Sequence, residues 1–592
     1  MLPRVIATAK YSSNAAFSVA GAALAIVGPA NAGAVNVPTP LTQPSQAETL
    51  FGGGPLVTSA AKAIATKRIP VLAIRTAATQ ASQFSAVSRT TGHGASVVTV
   101  DAGSDTTINA SVLVQVVTGG TVGVPGITYK VSTDGGRTFS ASPIALGTAT
   151  AIDVTLGDGT LTLNATAAAL VTGEVISVTA SVLAAGSHDT LDRTNYPLGT
   201  NTASASVTAG TYPDNDYQIV VEFTKGGALG TAGIEYRYST ANGRAGTWSP
   251  TRALGTALAI VIPGTGGFGL TLGDSAETIG TGASLYVRTF APSSSLGAIQ
   301  AALTALFLNK TSWEDVYICG ALDAAMILGI DAIFAAAYSV TPNGEKYWIG
   351  NADVPDDGET EAAYLARMGT LSDAARSCYF GSVCAGDAKY TDALTGYLHK
   401  RPVALLVAIE QASVTPNIDV ARVDRPGLPA MLADDNGNPD CHDESNDPGL
   451  DDLGFVTLRT MPEGVYVTNP RIFSPAGTNV EMVPHRKCLN LHTRVAKNYF
   501  RKVLSNDLFA DTATGYLLES EAARLEKGVN DAENDTLRTP GWISGQEVTI
   551  SRTDQLIGVA TPTITVSGQL QPKAYPKLIN YTDQLVVKIG NA

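Results

Sequence analysis

Charge is scarce in this chain of 592 residues: Asp, Glu, Lys and Arg together make up 15%, well under the quarter usual for globular proteins. No Lys/Arg-rich block able to grip a phosphate backbone occurs, apart from one short basic stretch toward the C-terminus. The formal net charge of −13 also argues against nucleic acid as a partner. No run of about twenty apolar residues occurs, so no segment reads as a membrane-inserted helix. Cysteine is rare: Cys319, Cys378, Cys384, Cys441 and Cys488 are widely spaced, odd in number and never arranged as CxxC. That spacing argues against a zinc knuckle and points to free thiols in a reducing compartment. Disulfides between subunits are the alternative if the finished object leaves the cell. The motifs G-x-x-x-x-G-K-[ST], H-E-x-x-H and G-x-S-x-G are missing. Nothing calls for a cofactor, a resident metal or an enzymatic centre.

Glycine, in contrast, is abundant at 59 residues, and with Ala, Thr and Val it dominates the first half. That composition favours short strands and turns. A unit of about a hundred residues occurs twice there: Gly119 matches Gly226, Tyr129 matches Tyr236, Leu146 to Ala149 matches Leu254 to Ala257, and Leu161 to Leu163 matches Leu270 to Leu272. The alternation in "ITYKVS" and "IEYRYS" predicts antiparallel sheet, and two successive β-sandwiches are the expected outcome.

The first copy contains "STDGGRTF", in which Ser132, Asp134, Gly136, Thr138 and Phe139 have the spacing of the Asp-box hairpin that sialidases carry on their propeller blades. A propeller needs at least four blades of about 40–50 residues. Here only two units occur, the second lacks the Asp, and neither carries an arginine cluster. The expected role is structural: Asp bonds turn amides, Gly supplies positive φ and the aromatic packs beneath. "GTGGFG" (Gly264 to Gly269) formally matches G-x-G-x-x-G but runs into "LTLGD", a strand pattern. A dinucleotide site needs a helix N-terminus there.

Beyond about Pro292 the texture changes. "DVYICG" and "PVALLVAI" read as buried strands among helical patterns: "AALTALFLNK", "LDAAMILGIDAIFAAAYS", "GETEAAYLARMGTLSDAARS" and "YTDALTGYLHK". Residues 19–100 are expected to belong to the same α/β body, with the β units inserted into it. "VAGAALAIVGPANA" has two readings, a signal peptide after Arg4 and Lys10 or a buried strand "ALAIVG" before a Gly/Pro loop.

The acidic loop "ADDNGNPDCHDESNDPGLDD" is the best cation candidate by composition. Asp434, Asn436 and Asn438 mimic the opening of a calcium loop, but Pro439 stands where that loop needs Gly. "HRKCLNLHTRVAKNYFRKVLS" has no acidic residue and, as a helix, stacks Arg494, Lys497 and Arg501 on one stripe. Such a stripe is either a solvated face or a surface for an acidic partner.

Two segments resemble contractile-tail sheath proteins. Near the N-terminus these are "AIVGPANAGAVNVPTPLTQPSQAETLFGGGPLVTSAAKAI" and "IPVLAIR". Near the C-terminus "GFVTLRTMPEGVYVTNPRIFSPAGTNVEMVPHRKCLNLHTRVAKNYFRKVL" is similar to the family's segment running into its basic helix, and "YPKLINYTDQLVVKIG" to its closing strand. The resemblance implies an α+β or α/β sheath core built from N- and C-terminal parts of the chain, interrupted by a pair of tandem antiparallel β-sandwiches. On this view 1–18 is a linker arm, 19–100 the first part of the core, 101–205 and 206–296 the two inserted repeats, 297–480 the α/β core, 481–575 a C-terminal domain with the basic helix, and 576–592 a linker strand. It further implies a non-enzymatic virion protein that assembles in the bacterial cytoplasm as stacked hexameric rings around a tube and contracts to drive the tube through an envelope. Its partners would be itself, a tail tube protein, and baseplate and terminator proteins, with neither nucleic acid nor membrane insertion. Arg494, Lys497 and Arg501 would face the tube, and Leu585, Val586, Val587, Lys588 and Ile589 would form the strand given to a neighbour. The rival reading is a secreted adhesin or surface-layer protein displaying the β repeats.

Overall fold

The computed structural model describes residues 23–575, apart from short stretches at 78–79, 85–86, 91, 102–103, 105–109, 157–158, 185, 195–203, 276, 310, 341–343, 357, 434–438 and 505–506. The chain opens with β1 (Ala23–Gly28), β2 (Thr39–Leu41), α1 (Pro44–Phe51), α2 (Pro55–Lys67) and β3 (Val71–Arg75). Every residue of β1 is buried. "ALAIVG" is thus a core strand, which answers the signal-peptide reading of that segment. Both helices begin on proline, whose fixed φ suits a first turn.

The all-β region follows. Its first unit contains β4 (Ala110–Thr118), β5 (Thr128–Ser132), β6 (Ala151–Leu156), β7 (Gly159–Ala165) and β8 (Val175–Ala184). β5, β4 and β8 form one antiparallel sheet, and β6 and β7 belong to another. The second unit repeats the plan with β9 (Tyr217–Lys225), β10 (Glu235–Ser239), β11 (Ala259–Val261), β12 (Gly269–Thr271) and β13 (Ser284–Phe290). β10, β9 and β13 again pair in that order, and β11 pairs with β12. Each unit closes its own apolar core, one around Val114, Leu161 and Ile176, the other around Val221, Leu270 and Leu285. Strands at Gln80–Phe84 and Val98–Val100 pair with β8 and β7. The first unit therefore takes in residues that the sequence reading gave to the core. Similarly Ser187–His188 pairs with β13, placing the junction between units earlier than 205.

The chain re-enters the core through α3 (Leu296–Leu308), β14 (Trp313–Ala321), α4 (Ala324–Val340), β15 (Tyr347–Asn351), α5 (Glu361–Ala375), β16 (Gly381–Cys384), β17 (Asp387–Thr391), β18 (Leu398–Pro402) and α6 (Ala404–Ala412). Five parallel strands lie in the order β3-β1-β14-β15-β16, with β2 antiparallel at the edge of β3. Counted along the chain this is second, first, third, fourth, fifth, the strand order of doubly wound sheets. Leu24 and Ile26 of β1 share a core with α1, α2 and α6, whereas Ala25 and Val27 share one with α3, α4 and α5. Both faces are covered, which is why β1 and the middle of β14 read as apolar runs.

Two expectations fail here. "PVALLVAI" is mostly the helix α6, not a strand; its residues from Ala404 to Gln411 are all buried. An apolar run of that length fits either element, and periodicity cannot choose. "YTDALTGYLHK" is not helical: it is the β17–β18 hairpin, turned where Asp392 accepts the Leu394 amide at 2.7 Å and Gly396 adopts a φ of 73°. After β19 (Leu458–Met461) and β20 (Gly464–Val467) come α7 (Val483–Val503), α8 (Glu519–Glu533), β21 (Ile543–Ile550) and β22 (Val566–Pro572), the last two an antiparallel pair.

Candidate functional site: the basic helix and the terminal sheet

α7 turns Arg486 and Arg494 inward. Arg494 is 2% exposed and forks onto Glu314 at the start of β14, with Nη2 to Oε2 at 2.7 Å. The same nitrogen donates to the Glu345 carbonyl at 2.8 Å. Lys497 pairs with Glu345 and donates to the Tyr338 carbonyl at 2.9 Å, and Lys487 donates to Asp315 at 2.7 Å. Lys346 joins the cluster with its pKa pushed down to about 8 by burial, against the opposing pull of Glu314. Arg494 and Lys497, the residues expected to face a tube, have acidic partners within their own chain. Spacing on a helix tells which residues share a face, not what covers it. Arg501, one turn further, is half-buried.

Beyond α7 the chain builds a separate layer. α8 packs beside α7 at Gly528, where an added Cβ would lie 1.9 Å from the Tyr499 hydroxyl. The outer edge of β21 is plugged by α8: the Val548 amide donates to Asn530 Oδ1 at 3.0 Å and the Ile550 amide to Glu526 Oε1 at 2.7 Å. β22 lies against α7, close enough that a Cβ on Gly568 would meet His492 Nε2 at 2.7 Å. Its residues are mostly exposed, and among the described residues it pairs with no strand except β21. The terminal strand Leu585, Val586, Val587, Lys588 and Ile589 lies outside the described residues.

The Asp-box residues make a turn. Asp134 accepts from the Thr138 amide at 2.9 Å, the Thr138 hydroxyl at 2.6 Å and the Ser132 hydroxyl at 2.7 Å. Those bonds hold its carboxyl well below the usual range. Gly136 sits at a φ of 91° beside Phe139. In the second copy Ser239 bonds the Ala241 and Gly243 amides, each at 3.1 Å, and Trp248 takes the place of the aromatic. The carboxylate is committed to its own hairpin, and Ser239 serves the same turn without it.

All five cysteines are buried free thiols. Burial pushes Cys319 and Cys488 up to about 12 and raises Cys378, Cys384 and Cys441 as well. In this conformation each lies buried within its own chain. Asp434, Asn436 and Asn438 lie outside the described residues. Within the rest of the acidic loop, His442 stands between Glu361 and Glu444, 3.0 Å from each, and serves to staple the loop to α5. Among the described residues no three His, Cys, Asp or Glu converge to hold a metal ion, and no helix is long and apolar enough to cross a membrane.

Its structural neighbours are tail sheath proteins. The sheath tail protein Lin1278 from Listeria innocua matches at 10% identity over 92% of this chain and 94% of its own, with a TM-score of 0.37. The sheath tail protein DSY3957 from Desulfitobacterium hafniense matches at 10% identity over 95% and 99%, also at 0.37. The sheath complex of an extracellular contractile injection system, PVC, in its contracted state, matches at 13% identity over 52% and 77%, at 0.34. Neither a family model nor a curated protein matches the sequence. At these scores the traces agree loosely, so function is read from the chain's own residues.

Proposed function

We propose that the chain is a non-enzymatic sheath subunit of a contractile tail or injection device, polymerising with copies of itself as stacked six-membered rings around a tube. The two segments that resemble sheath proteins fall on the shared body: the first forms β1, α1, α2 and β3, and the second forms β19, β20 and α7. The observation that carries the reading is the asymmetry of the β21–β22 pair. One edge is closed by Asn530 and Glu526, while among the described residues the other edge, on β22, has no strand beside it and would accept one. An open edge is an aggregation hazard in a monomer and a linker in a polymer. The alternating segment 585–589 of a neighbour is the strand proposed to fill it. The two all-β units, taken as β-sandwiches inserted in the sheath core, decorate the outside. Tube, baseplate and terminator proteins would be its partners in a virion tail assembled in a bacterial cytoplasm.

Deleting residues 581–592 tests this. The truncated chain should remain folded and soluble by sedimentation yet form no long tubes. Normal tubes from the truncated chain would overturn strand addition.

A further inference from the structure

A cleft of about 690 Å³ opens between the parallel sheet and the second all-β unit. The first turn of α2 and the turns that follow β14 and β15 form one wall, and residues of the second unit form the other. It therefore lies beyond the carboxyl ends of β1, β14 and β15, beside the β1–β14 boundary where the strand order reverses. Doubly wound sheets bind their ligands at that point, in cavities of this size. The use of that position here is independent of whether the chain polymerises.

The charges in the cleft select the ligand. An anion is disfavoured because the start of α2 already has one. Asp214 of the second unit lies over Gly53, where an added Cβ would stand 2.7 Å from its Oδ2, and accepts the Asn31 amide at 3.2 Å. The two arginines in the walls are also taken, Arg401 by Asp392 at 2.8 Å and Arg367 by Glu359 and Asp353 at 2.7 and 2.8 Å. Apart from Arg401 Nε, which has no acceptor, the groups that remain are acceptors. Asp216 takes the Ala291 amide at 2.9 Å and forms no ion pair among the described residues; burial raises its pKa against the pull of that amide, Arg401 and Arg288. Asn351, 1% exposed at the end of β15, has an Oδ1 without a donor. Asp323 and Asp356 stand further along the walls, and the rings of Tyr317 and Tyr390 lie among these acceptors. The carboxylates are spread along the cleft, and no three of them converge on one point that a metal ion could occupy.

Dispersed acceptors over aromatic surface suit an extended cation rather than a compact one. We propose that the cleft binds a linear polyamine, with Asp216 and Asn351 as the inner acceptors, Asp323 and Asp356 as the outer ones, and the methylene spine against Tyr317 and Tyr390.

The test is calorimetric titration of the full-length chain, in moderate salt to suppress diffuse attraction, with spermidine, magnesium chloride and inorganic phosphate as separate probes. Spermidine should bind one site per chain, and magnesium and phosphate should give no saturable heat. Asp216→Asn should weaken spermidine by about tenfold or more, the scale of one charge-assisted hydrogen bond. Asp323→Asn should weaken it less, and Asp134→Asn, on the remote hairpin, should leave it unchanged. Thermal unfolding of each free variant identifies any that misfolds, and Asp323→Asn keeps the test decisive if Asp216→Asn does. No saturable spermidine binding, equal affinity in both cleft variants and wild type, or a preference for magnesium or phosphate would overturn the proposal.

Discussion

Arg494 on α7 and Glu314 on β14 are 180 residues apart in the chain and meet as a two-pronged ion pair inside it. Burial pushes the Glu314 carboxyl up, but Arg494 and then Lys346 pull it below its ordinary range. The C-terminal layer is thereby fastened to the parallel sheet through charge, with Lys487–Asp315 and Lys497–Glu345 beside it. A guanidinium suits this position because its planar fork matches a carboxylate and its charge does not titrate.

Removing one partner of that pair exposes its cost. Arg494→Ala leaves Glu314 with only the more distant Lys346 beside it, 4.0 Å away, and should lose about 3 kcal/mol in urea unfolding. The pair's contribution is present above the ordinary glutamate range and is lost as pH falls through the lowered folded value. A loss below about 1 kcal/mol, the range of exposed pairs, would return Arg494 to the surface.

His442 should make stability fall in mild alkali. Burial opposes its charge, but the hydrogen bonds it donates to Glu361 and Glu444 outweigh that and raise its pKa to about 9 from an ordinary 6.5. A raised folded value means the contribution is full below pH ~6.5 and is lost as pH climbs through about 9. Unfolding free energies at pH 6, 7.5 and 9 should show that decline, and His442→Gln should flatten it. Equal slopes for both proteins would show that the staple carries no charge.

The thiols should be silent in the native chain. A disulfide-exchange reagent should label all five only after denaturant is added, because each is buried and its thiolate is disfavoured. Mobility on gels should be the same with and without reductant. A reductant-sensitive dimer would show a conformation in which one of them reaches the surface.

Gly568 is a contact point, not a hinge. Gly568→Val would drive side-chain atoms into His492, which packs beside Glu533 at 3.0 Å, and should cost about 1–3 kcal/mol while loosening β22 from α7. Hydrogen exchange across β22 would report it. An unchanged profile would mean that α7 and β22 do not hold each other.

Much of this fold is legible in residue patterns. β1 and the Val316–Cys319 stretch of β14 are apolar runs because both faces of their sheet are covered, and the duplicated β unit shows in its matched Gly and Tyr positions. α6 was hidden because a helix buried on all sides has no polar face to betray its period. The basic stripe was visible, but its destination was not: Glu314 and Glu345 lie more than 140 residues away, and no local pattern links them to α7. The cleft was invisible for the same reason, since Asp216 and Asn351 come together only when an inserted unit settles on the ends of the sheet.

The proposed function has this chain polymerise through the edge of β22 that no described strand covers. Negative-stain electron microscopy of the purified full-length chain at high concentration tests it most directly. Hollow tubes or stacked rings with six-fold symmetry are expected. Monomers that persist at every concentration, with the edge of β22 unprotected, would contradict it.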